Sequence, residues 1–170
     1  MSAQSEVRSQ APGIAANVPL EGLLSGLAGA ATIAAWFFIM DVIRRQPFYT
    51  PTVLGTALFR GGMGLAAPRS LEVSSELVIT FTWVHMLVFG LIGVAAAKLI
   101  EIAEREPSLG FGIVLFVVFF ECAFFLACMV VAEPVLHALA WPEVLIGNLL
   151  ASAAMVAVLW RRHPRLVIRP

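Results

Sequence analysis

Gly22-Leu23-Leu24-Ser25-Gly26-Leu27-Ala28-Gly29-Ala30-Ala31-Thr32-Ile33-Ala34-Ala35-Trp36-Phe37-Phe38-Ile39-Met40 runs without a charge into Asp41, the pair Arg44-Arg45 and the turn-rich Gln46-Pro47-Phe48-Tyr49-Thr50-Pro51. A bilayer core of about 30 Å takes roughly 20 apolar residues in a helix, so this stretch is long enough to span one. Gly22, Gly26, Ala30 and Ala34 recur at every fourth position and share a stripe. In lipid, small residues allow a second helix to approach closely, and that packing drives association. The stripe is therefore the expected packing face of the first span.

Composition extends the reading to the whole chain. Of 170 residues, 60% are hydrophobic and 13% charged, with a formal net charge of zero. Soluble domains carry about 25% charged residues. A chain this short cannot hide that much apolar surface in one water-soluble core. Its apolar runs are continuous rather than alternating, which excludes a transmembrane barrel. The expected fold is all-α: an integral membrane bundle of four transmembrane helices with a short interfacial helix after the first.

The spans are expected at about 21–43, 76–99, 111–132 and 143–160, between a flexible tail at 1–20 and a basic tail at 163–170. After the first span, Thr50 precedes Pro51, an N-cap residue followed by a first-turn proline. Val53, Leu54, Ala57 and Leu58 share a face of the helix that follows, and Gly61-Gly62 stops it. Such a helix suits the membrane surface. Trp36, Trp83, Trp141 and Trp160 read partly as interfacial anchors. Four spans place both termini on one side, with Arg8, Lys98, Arg105, Arg161, Arg162, Arg165 and Arg169. Basic residues favour the cytoplasmic side, so both termini are expected there, although Arg44-Arg45 argues the other way.

Chemistry must come from the few polar groups within the spans. A carboxylate near the bilayer centre costs roughly 2.5–3.5 kcal/mol on insertion scales and is a functional candidate by default. Asp41, His85, Glu121 and Asn148 are the candidates. At 1.5 Å of rise per residue, His85 lies about 15 Å from the side opposite the termini and Glu121 about 15–18 Å. Asn148 lies at roughly 9 Å and Asp41 nearer the surface by the same rule, so one polar cluster is geometrically allowed. The plain alternative is interhelical hydrogen bonding that holds the bundle in register. A proton or ion path is the sharper alternative.

A haem or metal site through His85 ranks third, because a second histidine would have to come from His137 near an interface. Glu133 and His137, four apart, are weak metal candidates without further ligands. Cys122 and Cys128 face different sides of their run and serve as small packing residues. No nucleophile–histidine–acid set, phosphate loop or cysteine metal motif is present, so enzymatic activity has no support. The basic C-terminal group follows a span directly and suits anionic lipid, not nucleic acid.

The Gly-rich first span, Met40-Asp41, Thr50-Pro51 with Leu54-Gly55, and His85 followed by Gly90 together resemble small bacterial four-span inner-membrane proteins of unassigned activity. The likeness covers roughly Gly22 to Ala97. It implies a bacterial inner-membrane location, implies nothing about catalysis, and makes Asp41 and His85 a pair to test together. The leading expectation is an accessory or self-associating subunit of a membrane complex, whose partners are the bilayer and other membrane subunits. A small oligomeric transporter or proton conductor stands second.

Overall fold

A computed structural model describes residues 17–61, 65, 71–106, 111, 118 and 141–162. These form four helices: α1 (Val18–Ile43), α2 (Tyr49–Phe59), α3 (Ser75–Arg105) and α4 (Trp141–Arg162). No strand occurs among the described residues. The helices α1, α3 and α4 are each long and apolar enough to cross a membrane. They cover the residues expected for the first, second and last spans, and every helix end but that of α1 at Ile43 runs further. The expected third span, apart from Phe111 and Val118, lies outside the described residues. So do Glu121, Cys122, Cys128, Glu133 and His137.

The helix ends follow local chemistry. Pro19 sits in the first turn of α1, where a missing N–H costs nothing, and Glu21 places negative charge at the same end. Ser74 caps α3 by accepting from the Leu77 N–H, and Arg105 lies in its last turn. Glu143 opens α4 and Arg161-Arg162 close it, which complements the helix dipole at both ends.

Helix α1 is the centre of the bundle and packs on both α3 and α4. Its buried residues are Gly22, Ser25, Gly26, Gly29, Ala30, Ile33, Phe37 and Asp41. Gly22 and Gly26 meet α3 backbone to backbone. A Cβ on Gly26 would lie 2.0 Å from the Phe89 carbonyl oxygen, and one on Gly93 would lie 2.1 Å from the Gly22 oxygen. Glycine on both helices is what permits this crossing.

Ala34, expected on the same stripe, is exposed, and the buried line instead runs from Ala30 through Ile33 and Phe37 to Asp41. A repeat of four drifts around a helix of 3.6 residues per turn, so a step of three restores the face.

The pairings fix direction. Gly22 meets Val94, Gly26 meets Phe89 and Gly90, and so α3 runs antiparallel to α1. Ser25 donates to the Met155 carbonyl at 3.1 Å, and Trp36 donates to the Glu143 carbonyl at 3.0 Å, so α4 is also antiparallel to α1. Ion pairs mark both ends of the α1–α4 contact: Arg44 with Glu143, and Arg162 with Glu21 at 3.6 Å.

Helix α2 begins one residue before Thr50, with Phe48 as its left-handed cap at φ 65°. Thr50 is therefore inside the first turn and not the cap that its place before Pro51 suggests. The face that α2 buries also differs from expectation: it comprises Tyr49, Thr50, Thr52, Val53, Gly55 and Thr56, while Leu58 is exposed. Thr52 and Thr56 can be buried because each hydroxyl donates to the carbonyl four residues back, at 2.8 Å. Gly55 brings α2 against Leu77 of α3, where a Cβ would meet side chain and backbone at 3.1 Å. Helix α2 is thus packed on the bundle through a threonine face.

Candidate functional site

Asp41 lies in the last turn of α1 and is fully buried. Helix α1 ends two residues later, and the chain turns through Arg45, at φ 59°, and Phe48 into α2. The Asp41 carbonyl accepts from the Gln46 N–H at 2.9 Å, which folds the turn back over the carboxylate. The carboxylate then meets the first turn of α2. One oxygen accepts from the Thr50 N–H at 2.8 Å and the other from the Thr50 hydroxyl at 2.7 Å.

The first N–H groups of a helix have no partner within it, and the N-terminus carries partial positive charge. Asp41 supplies both the acceptor and the negative charge from another helix. It is a remote cap for α2. Its charged neighbours are Arg44 and Glu143, which are themselves paired.

Asp41 and Thr50 form part of the wall of a cavity of about 360 Å³ between α1, α2 and α3. His85 lines the same cavity from α3, with Ala34 on the α1 side. The structure therefore brings Asp41 and His85 to one space. The His85 ring lies between Phe81 and Phe89, with centroid separations of 5.7 and 4.6 Å. Its polar neighbour is the Ala30 backbone. Nε2 is nonetheless buried with no hydrogen-bond partner among the described residues. Leaving such an atom unmatched costs about 1–3 kcal/mol. The rise from Ala30 to Asp41 is about 16 Å at the usual pitch, so His85 sits towards the bundle centre and Asp41 near the end.

Asn148 is half-buried on α4, beside Gly147, and does not line this cavity. Among the described residues no three His, Cys, Asp or Glu side chains converge into a metal-binding group. His85 could offer one nitrogen to a metal or haem, without a described second ligand.

Two features of the site escape a linear reading. Thr50 is the donor that occupies Asp41, a pairing across nine residues that only the left-handed Phe48 turn creates. Phe38, Phe48 and Phe81 build the aromatic wall, yet in the sequence they are indistinguishable from lipid-facing residues. The left-handed Phe48 leaves no sequence signal, because bulky residues rarely adopt it.

Comparison with known proteins finds no matching family model, no matching curated protein and no matching solved structure. The helical membrane fold and its cavity are thus read from this chain's own residues.

Proposed function

We propose that this chain is a multi-pass membrane protein that works by assembly, as an accessory subunit of a larger membrane complex, and that it spans the bilayer four times. The carrying observation is the use made of Asp41. An intramembrane carboxylate is the usual hallmark of a proton or ion path. Here both oxygens are engaged by Thr50 in holding α2 against the bundle. A group committed to architecture favours a scaffold over a conductor.

A fourth crossing is supported by the helix directions. Helix α3 ends on the side where α1 begins, whereas α4 begins on the side where α1 ends. The end of α3 and the start of α4 thus lie on opposite sides of the bundle. Lys98, Arg105, Arg161 and Arg162 all lie at the end where α1 starts, and the positive-inside bias favours a cytoplasmic location for that end. The outer ridge of α3, formed by Ile79, Trp83, Leu87 and Leu91, is 59–73% exposed and would face lipid or a partner helix.

The test is a tagged pull-down at native expression level in mild detergent, weighed by native mass spectrometry. Stoichiometric foreign subunits are the expected result. A lone monomer or a homo-oligomer overturns the accessory role.

The shared cavity of Asp41 and His85 favours one second reading, a small transporter or proton conductor. That reading expects proton flux into liposomes that falls with His85→Ala, whereas an accessory subunit gives no flux in either form.

A further inference from the structure

The cavity between α1, α2 and α3 is left unused by an assembly role. Its volume of about 360 Å³ falls within the roughly 300–1,000 Å³ of small-molecule sites. Two aromatic pairs bound it from different elements. Phe38 of α1 and Phe48, the cap of α2, lie with ring centroids 5.3 Å apart and a tilt of 47°. From α3 come Phe81 and His85, stacked at 5.7 Å and 27°. Phe38 and Phe48 stay 44% and 45% exposed while lining the cavity, so they stand at its opening. Phe48 holds a left-handed backbone at φ 65°, which is costly for a bulky residue. Strain of this kind concentrates at ligand clamps, and here it accompanies a ring set against Phe38.

The polar groups of the wall are already committed. Asp41 is enclosed with both oxygens on Thr50, and Thr50 is enclosed with it. The Thr82 hydroxyl gives its proton to the Val78 carbonyl at 2.6 Å. His85 contributes its ring, while its Nε2 is buried. Among the described residues no lysine or arginine lines the cavity, so neither an anionic nor a cationic head finds an open counter-charge. Water needs about two to four polar partners to be held in a cavity, and these walls do not supply them. Acyl tails reach the same opening from the bilayer, but they are as apolar as the walls and gain little by leaving one another. A flat aromatic ring gains more, because ring pairs make offset and edge-to-face contacts that a saturated chain cannot.

We infer that this cavity binds a neutral, apolar molecule built on a flat aromatic ring, held between the Phe38–Phe48 pair and the Phe81–His85 pair. The bilayer around the three long helices is the medium from which it enters, past Phe38 and Phe48. The site does not depend on the assembly role, since its binding is measured on the chain alone.

The probe is radiolabelled naphthalene, with decalin as its saturated counterpart. Binding to the purified full chain in lipid nanodiscs is read by scintillation proximity against empty nanodiscs, and decalin is read by competition. The expected result is saturable binding of naphthalene about tenfold tighter than decalin, the scale of one or two ring contacts. Phe38→Leu and Phe48→Leu keep the wall apolar and remove a ring, and each is expected to cut that preference about threefold. Phe81→Leu on α3 is expected to do the same, and it serves if a change at the Phe48 turn prevents folding. Ala34→Trp fills the cavity and removes binding, while Leu91→Trp on the outer ridge leaves it unchanged. Absence of saturable binding, as when acyl tails keep the space, overturns the proposal. So does equal affinity for the two compounds, a preference that survives all three leucine variants, or binding that survives Ala34→Trp.

Discussion

Asp41 and Thr50 are joined twice: the carboxylate accepts from the Thr50 N–H at 2.8 Å and from the Thr50 hydroxyl at 2.7 Å. One residue at the end of α1 thereby sets both the start and the orientation of α2. The pair is fully enclosed, with Asp41 at 0% and Thr50 at 2% exposure, so water cannot replace either bond. The cavity wall that Phe48, Thr50, Pro51 and Leu54 contribute depends on this hinge.

Asp41→Ala should therefore destabilise the protein by about 1–3 kcal/mol, since it strands a buried N–H and hydroxyl. Thr50→Val removes one bond of the two and should cost about 1 kcal/mol. The double variant should cost less than the sum, because each change removes the same contact. Thermal unfolding in detergent measures all three, and hydrogen exchange at the α2 amides reports whether α2 detaches first. Additive losses would show that the two residues act separately.

The glycine crossing gives a harsher prediction. Even one added carbon on Gly26 or Gly93 meets backbone atoms at 2.0–2.9 Å, which no rotamer change relieves. Gly26→Leu and Gly93→Leu should abolish the native α1–α3 contact, seen as loss of a monodisperse peak on gel filtration. Ala31→Leu, on an exposed face of α1, should leave it intact. A monodisperse, thermally unchanged Gly26→Leu protein would mean that the helices do not cross here.

Ser25 is a milder case. Its hydroxyl is wholly buried and donates to the Met155 carbonyl across the α1–α4 contact. Hydrogen bonds between membrane helices average about 0.6 kcal/mol, so Ser25→Ala should lower stability by about 0.5–1 kcal/mol. Ser25→Leu should be far worse, because Gly29 and Met155 pack next to it with no spare room. A melting series of the two variants separates the hydrogen bond from the packing.

Two interactions bind the other end of the same contact to Glu143. Arg44 pairs with its carboxylate, and Trp36 donates to its carbonyl. The Arg44 side chain is 37% exposed, so the ion pair is worth less than about 1 kcal/mol and should weaken with salt. Trp36→Phe loses a part-buried hydrogen bond and should cost about 1 kcal/mol independent of salt. Comparing Arg44→Ala with Trp36→Phe at low and high ionic strength tests the assignment.

The apolar run from Gly22 to Met40 and the composition were enough to determine that the chain is helical and membrane-bound and roughly where each described span lies. Those properties depend on near neighbours and on hydrophobicity, which are written in linear order. Gly22 and Gly26 were also legible, because a small-residue stripe has a period. The stripe misleads at Ala34, where helical drift carries the fourth position off the contact and onto the cavity.

Tertiary structure alone decided the rest. Asp41 looks like an intramembrane functional carboxylate until the left-handed Phe48 turn delivers Thr50 to it. The threonine face of α2 looks outward-facing until each hydroxyl finds the carbonyl four residues behind. The meeting of Asp41 and His85 around one cavity follows from the antiparallel register of α1 and α3, set by glycine-to-glycine contact far from either residue. Periodicity assigns a residue to a face of its own helix. Which helix that face meets, and at what height, is fixed only when backbones pack.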